Sequence, residues 1–292
     1  MKDSKQEIKD SKYLISHIQS QYTRFSKGQK LIAQYILKNY DKVAFMTASK
    51  LGETVGVSES TVVRFANALG YSGYPKLQDA LQELIKNKLT TVQRVQMSNE
   101  DYSDDATILS KVLKSDIDNI KGTLEEIDPK AFKDASEEIL KARKIYVLGM
   151  RSSYVIAQYM GFYLDLILDN VQVIRMDMGD VFEQIVRINE EDVIIAFSFP
   201  RYSKKSYQVV DYAKSKGAHV ISITDSYFAP VACLSDNTLL VKSNMASFVD
   251  SLVPAMTVAN ALAISVGMKE KSEITKYFND LEKIWKDYAI YE

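Results

Sequence analysis

Arg64 and Asn67 lie three residues apart. On a helix that spacing sets both on one face. The two side chains have a defined chemistry toward base edges: a guanidinium pairs bidentately with guanine, and a carboxamide pairs bidentately with adenine. The same face would carry Glu59, Ser60, Thr61 and Val63, with Ser58 ahead of them as the helix cap. Residues at its N-terminal end would reach base edges, and the capped end would face a phosphate. Tyr71, Tyr74 and Lys76 follow, just past Gly70, spaced to lie against the sugar-phosphate backbone. A second group of residues lies far along the chain. Gly149-Met150-Arg151-Ser152-Ser153 and Ser198-Phe199-Pro200-Arg201-Tyr202-Ser203 are two serine-bearing stretches, each ahead of a helical segment. Hydroxyls and backbone N–H groups at two such places can together cradle one phosphate. Taken singly, a serine at a helix start is usually only a cap.

The first group needs two crossed helices to present it. Leu51, Val55, Val57, Val62 and Phe65 are spaced to pack such a pair together. Gly56 supplies the unusual backbone angle of the turn, and Gly52 is small where the helices approach. This is the layout of a helix-turn-helix; the bland alternative is a helical hairpin with no role at DNA. Ser26 and Gln29 have capping-box spacing, and Leu31, Ile32, Tyr35 and Ile36 carry a helix from there to about Asn39. Leu77, Leu81, Leu84 and Ile85 mark another amphipathic helix. Residues 1–20 read as a polar lead-in or a short helix. Residues 91–105 lose periodicity and read as a linker. A helix is expected from about Ala106 to Glu126, and Asp128-Pro129 starts the next, with Asp as cap and Pro at the first position.

The second group needs strands. From Lys144 the pattern alternates between short apolar runs and helical stretches. The runs are Ile145–Leu148, Val171–Ile174, Val193–Phe197, Val220–Ile223 and Thr238–Val241. The helical stretches are Tyr154–Leu168, Ser203–Lys216 and a short piece near Pro230. Near-continuous apolar strands between helices predict a parallel sheet covered on both faces. Both serine-bearing stretches then fall at the C-terminal strand edge, where parallel sheets bind ligands. A long helix is expected over Phe248–Val266. The tail spaces Ile274, Phe278, Leu281, Trp285 and Tyr288 along one helical face, as core or subunit interface.

Composition bounds the rest. The 292 residues, 46% hydrophobic and 26% charged, allow two soluble domains, each with a sizeable core. The net charge of −1 divides unevenly: residues 1–95 carry 15 Lys/Arg against 8 Asp/Glu, and the remainder carries 22 against 30. A basic head on an acidic body suits nucleic-acid binding by the head alone. One cysteine, Cys233, and two histidines, His17 and His219, argue against a disulfide framework and a metal site. The N-terminus has no apolar core for a signal peptide, and the longest apolar stretch, Ala255 to Val266, is too short to span a bilayer. A cytoplasmic protein without a membrane partner is expected. No residue reads as the base of an isomerase. His219 stands just before a strand, His17 lies in the lead-in, and nothing in its spacing singles out Glu183.

The motifs Gly56-Val57-Ser58, Thr61-Val62-Val63-Arg64-Phe65 and Leu69-Gly70-Tyr71-Ser72-Gly73-Tyr74 resemble the N-terminal domain of the RpiR family of bacterial transcription regulators. The second half resembles a SIS (sugar isomerase) domain, which that family uses to sense phosphosugars. The resemblance implies an all-α helix-turn-helix domain (1–90), a linker (91–105) and an α/β SIS domain with a five-stranded parallel sheet (106–292). It implies no catalytic residues, no metal and no cofactor. The partners would be double-stranded operator DNA and a phosphosugar effector, with the chain a homodimer or dimer of dimers. Ser152, Ser153, Ser198 and Ser203 are the ligand residues it assigns, and Arg201 joins them as a candidate on its charge alone. The chain departs from the family pattern in both loops. Arg151 stands where the first loop usually has a second Gly. The second loop usually reads Ser-x-Ser-Gly-x-Thr, and here Pro200 replaces the middle Ser and Arg201 the Gly. The arginines either add charge to an anion site or fill the pocket and pair with nearby carboxylates. The alternatives are a sugar-phosphate isomerase on the SIS fold, and a DNA-binding dimer whose SIS domain is structural only.

Overall fold

The structure is a computed structural model and describes residues 11–85, 92, 94, 95, 104–245 and 248–291. Its contacts divide the chain into two compact units, Met1–Asn99 and Glu100–Glu292, each with its own core. The expected linker, 91–105, falls mostly outside the described residues.

In the first unit Ser26 and Gln29 form the expected capping box at the start of a helix. The helices are α1 (Ser11–Gln21), α2 (Lys27–Val43), α3 (Ala48–Val55), α4 (Glu59–Ala68) and α5 (Tyr74–Ile85), with a 3-10 turn at Tyr22–Arg24. Of the two readings of residues 1–20, the short helix is the one found, as α1, and its Leu14 and Ile18 are fully buried in the core with Ile32, Leu51, Phe65 and Leu81. The second helix does not stop near Asn39. It runs on to Val43 through a kink, where Asn39 has non-helical angles (φ −138°, ψ 34°) and its amide donates to the Tyr35 carbonyl at 3.2 Å.

In the second unit α6 (Asp105–Glu126) and α7 (Pro129–Lys141) precede the sheet. Asp128 caps α7 by accepting from the Lys130 N–H at 2.8 Å, with Pro129 at the first position as expected. Five parallel strands follow: β1 (Lys144–Gly149), β2 (Val171–Val173), β3 (Asp192–Phe197), β4 (His219–Thr224) and β5 (Asn237–Leu240), in the order β2-β1-β3-β4-β5. Between them lie α8 (Ser153–Asp165), a four-residue α9 (Val181–Gln184), α10 (Lys204–Ser215) and a 3-10 turn at Ala232–Leu234. The last two helices are α11 (Val253–Lys269) and α12 (Lys271–Asp287). Strand residues alternate between two cores. Ile145, Val147, Ile195 and Ile223 pack with α7, α8 and α11, whereas Tyr146, Leu148, Ile194 and Val220 pack with α9 and α10. Period-two alternation therefore buries both faces of the sheet. The short helix α9 was not foreseen. The long helix expected from Phe248, α11, begins instead at Val253, with Pro254 in its first turn. On α12 the predicted stripe is only partly covered within one chain: Ile274, Leu281 and Trp285 are half-buried, while Phe278 and Tyr288 are exposed.

Candidate nucleic-acid interface and ligand site

Two glycines fix how α4 meets α3. Gly56 ends α3 in the left-handed region at φ 74°, which glycine adopts without steric strain. Gly52 lies under the turn: a Cβ there would stand 2.7 Å from the Val57 carbonyl oxygen and 3.3 Å from the Glu59 nitrogen. No side chain larger than hydrogen fits without displacing backbone. Leu51, Val62 and Phe65 are fully buried between the helices, and Val55 and Val57 are half-buried beside them. Behind the pair, α5 clamps the segment that leads into α3. Gln82 donates to the Ala44 carbonyl at 3.0 Å, and Gln78 donates to that of Met46 at 3.1 Å. These two glutamines carry no periodic or motif signal, and sequence reasoning missed them.

On the outer surface Glu59, Ser60, Arg64 and Asn67 are all exposed, so the structure brings them together on one free face of α4. Other expected members stand elsewhere. Ser58 occupies the N-cap position but makes no capping hydrogen bond with its side chain. Its Oγ lies 2.9 Å from both Ser60 Oγ and Thr61 Oγ1, in a hydroxyl cluster at the helix start. Thr61 is half-buried, its methyl turned toward Gly28, and Val63 is half-buried on the core. Tyr74 is a core residue, 3% exposed, with its hydroxyl 2.8 Å from the Met46 carbonyl oxygen and 3.3 Å from that of Val43. Burial pushes its pKa up to about 12. A ring closed into the core in this way cannot lie on a sugar-phosphate backbone, which corrects that expectation. Tyr71 is half-buried, and its hydroxyl is buried without a hydrogen-bond partner. Burial raises its pKa as well. Lys76 is exposed on the first turn of α5, paired with Asp79 at 3.0 Å.

In the second unit the register pairs Gly149 with Phe197, so the loops after β1 and β3 leave the sheet side by side. Gly149 is required by close approach, because a Cβ there would overlap the Ser153 carbonyl oxygen. Ser153 is buried at the start of α8, and Ser152 is exposed at its N-cap position without a capping bond. Arg151 takes the left-handed backbone at φ 57°. This is the conformation that a second glycine would supply freely, so the arginine holds it against steric resistance. Ser198 is buried; its N–H donates to the Ile223 carbonyl at 3.2 Å, and its own carbonyl accepts from Thr224 Oγ1 at 2.6 Å. Phe199 and Pro200 turn into the protein, and Arg201 is exposed. Tyr202 donates to Asp225 Oδ1 at 2.8 Å, a tie that sequence reasoning missed. Ser203 is a cap, accepting weakly from the Ser206 N–H at 3.4 Å. Beside the first loop lies an open groove of about 610 Å³ lined by Tyr154, Gln158, Val173, Arg175, Met176 and Asp177. None of the five predicted ligand residues lines it.

The histidine and glutamate weighed as bases have structural partners. His219 begins β4, at the sheet edge opposite these loops, with Nε2 2.6 Å from Asn237 Oδ1. Glu183 closes the capping box of α9 by accepting from the Asp180 N–H at 3.2 Å.

Comparison with known proteins agrees with this division. Residues 12–88 match the helix-turn-helix domain of the rpiR family, and residues 138–265 match the SIS domain. An uncharacterized HTH-type transcriptional regulator of Clostridium perfringens is 26% identical over 231 residues, 79% of this chain and 82% of that protein. The HTH-type transcriptional regulator HexR of Pseudomonas aeruginosa is 25% identical over 267 residues, 88% of this chain and 90% of that protein. Among solved structures, NanR of Vibrio vulnificus complexed with ManNAc-6P shares the fold. It has a TM-score of 0.57 at 22% identity and covers 94% of this chain and 98% of its own. Gly52 and Gly56 seat a helix with an exposed polar face, and a doubly covered parallel sheet follows in the same chain. With both domains matched in that order, the chain carries an rpiR-family helix-turn-helix domain followed by a SIS domain.

Proposed function

We propose that this chain is a bacterial transcriptional regulator that reads operator DNA with α4 and senses a phosphosugar with its SIS domain. The observation that carries the reading is the face of α4. Glu59, Ser60, Arg64 and Asn67 are exposed together, while the opposite face of the same helix is locked on α3. Arg64 and Asn67 select bases, Glu59 and Ser60 sit at the groove-entering end, and the Ser58–Thr61 hydroxyl cluster and Lys76 meet the backbone. The reading assigns residues 1–90 to the DNA reader, 91–105 to the linker and 106–292 to the sensor, and it makes the functional unit a cytoplasmic dimer on a palindromic site.

In the sensor the phosphate sits where the loops after β1 and β3 emerge together, held by Ser152, Ser153 and Ser198. Ser203 fixes the start of α10. Arg151 and Arg201 add positive charge that the serine and glycine loops of the family lack. NanR, a protein of the same fold, is known in complex with a phosphosugar. A phosphosugar that binds one arrangement of the two domains better than the other changes DNA affinity. The isomerase reading is weaker. Its base would have to stand at the loop edge of the sheet, and His219 is at the other edge. The test is selection of binding sequences from a random duplex pool by the full-length protein, followed by titration with sugar phosphates. A selected motif whose affinity shifts with a sugar phosphate supports the reading. A motif that no sugar phosphate alters leaves a DNA-binding dimer with a structural SIS domain. Turnover of a sugar phosphate would favour the enzyme.

A further inference from the structure

The first helix of the second unit is amphipathic the wrong way round. α6 meets its own chain through polar groups. Asn119 is buried, and its carboxamide makes two hydrogen bonds to the main chain of Asn244: Nδ2 donates to the carbonyl at 3.0 Å, and Oδ1 accepts from the N–H at 3.1 Å. Thr123 is buried as well, and its Oγ1 accepts from the Lys242 N–H at 2.9 Å. Asp116 accepts from Ser251 Oγ at 2.6 Å, and Glu126 pairs with Lys242 at 2.6 Å. These ties hold the helix to the segment that leaves β5 at the C-terminal edge of the sheet.

The outward face of α6 is aliphatic. Leu109, Leu113, Ile117, Ile120 and Leu124 recur at spacings of four, four, three and four, which makes one narrow stripe on a helix of 22 residues. They are 38% to 78% exposed, and none of them joins a hydrophobic core among the described residues. A surface helix of a monomer turns such a stripe toward its core. Single exposed leucines are ordinary, but an unbroken row of five marks an interaction surface. The row offers on the order of 500 Å² of apolar area per copy. With the polar rim of an interface that is about two-thirds apolar, this reaches the ~800 Å² that each partner buries in a stable complex.

The first unit does not hold the complement of this stripe. Among its described side chains over residues 11–85, Leu31 is the only large apolar one that is exposed. We propose that the aliphatic stripe of α6 packs on the same stripe of a second copy and forms the centre of the dimer interface. A two-fold axis sets one patch against itself, so an uncharged row of leucine and isoleucine is its own complement. Ile117 is the middle residue of the row, and it meets its counterpart whether the two helices run parallel or antiparallel. The inference rests on the dimer of the functional reading, and it selects α6 over the partly exposed stripe of α12.

Sedimentation velocity of the full-length protein at micromolar concentration tests it, with Ile117→Asp and Tyr288→Asp as variants. The wild type should sediment as a dimer. Ile117→Asp should raise the dimer dissociation constant about thirtyfold or more, as for a central residue of an interface. Tyr288→Asp, just past α12, should leave it unchanged. Circular dichroism checks that Ile117→Asp keeps its helix content. If it does not, cross-linking decides: Ile117→Cys in a Cys233→Ser background should be joined to a second chain by a short bismaleimide. A dimer that survives Ile117→Asp in a folded chain, that Tyr288→Asp weakens as much, or that Ile117→Cys fails to cross-link overturns the α6 assignment and leaves the dimer itself standing. A monomeric wild type overturns the dimer of the functional reading, and the α6 assignment falls with it.

Discussion

Arg64 is exposed on α4 and has no part in the core that seats the helix. Its replacement therefore separates recognition from folding. Arg64→Ala should weaken binding to the selected operator by about 1–3 kcal/mol, the value of a bidentate base contact. Binding to unrelated DNA and the oligomeric state should change little. Fluorescence anisotropy on operator and scrambled duplexes reads the difference, and operator affinity equal to wild type would remove Arg64 from the interface. Arg201 allows a parallel test in the sensor. If it contributes charge to the anion site, Arg201→Ala should lower sugar-phosphate affinity roughly tenfold by calorimetry, as for a lost charge-assisted hydrogen bond. Unchanged affinity would mean that Arg201 serves the loop and not the ligand. The sequence pattern exposed most of these side chains to view, because helical spacing alone sets Arg64 and Asn67 on one face. It could not separate Tyr74 from Tyr71 and Lys76. A tyrosine beside a glycine-rich turn reads the same whether its ring faces solvent or, as here, hydrogen-bonds to Met46 in the core.

At the scale of elements, the angle between α3 and α4 depends on the space that Gly52 leaves open. Gly52→Ala puts a methyl group 2.7 Å from the Val57 carbonyl oxygen. Despite the better helix propensity of alanine, the variant should lose about 1–3 kcal/mol of stability in the first unit, as overpacked sites do. A denaturant titration checks this, and a wild-type midpoint would show that the turn can relax. α5 provides a second test. Tyr74 keeps its proton in the folded state up to about pH 12, against an ordinary value of 10.0. A raised pKa means that its contribution is whole below pH 10.0 and fades as pH climbs toward about 12. Tyr74→Phe should thus cost about 1 kcal/mol near neutral pH, for the hydrogen bond lost to Met46. Its stability should also fall less than that of the wild type through the alkaline window. Parallel alkaline melts would detect a difference of the wrong sign.

The elements differ in how far the sequence makes them legible, for physical reasons. The five strands stood out because both sheet faces are buried and the runs are apolar throughout. α1 was legible only as one of two options for residues 1–20, because it reaches the core through few residues, Leu14 and Ile18 among them. α9 was hidden because four residues are too few for periodicity, although Asp180 and Glu183 carry its capping box. The groove on β2 depends on a carboxamide, Gln184, that closes a loop across nine positions, and no local pattern encodes such a bond.

For the molecule as a whole, charge is the quantity to test. The basic balance of residues 1–95, 15 against 8, sits ahead of an acidic remainder. Binding driven by phosphate contacts should weaken steeply with salt, with a log–log slope of about 0.9 per contact for duplex DNA. A dimer with two heads should therefore show about twice the slope of a single head. Measuring operator affinity across a salt series provides the number, and a flat response would count against any DNA-directed role for this chain.

The face of α4 has one more implication. Glu59, Ser60, Arg64 and Asn67 contribute nothing to the cluster of Leu51, Val62 and Phe65 that holds the helix in place. Exposed substitutions of this kind change stability by about 0.5 kcal/mol or less. The recognition surface can therefore drift, or be redesigned, without renegotiating the fold beneath it. A new operator could be acquired within a few residue changes while the turn, the clamp from α5 and the sensor remain as they are.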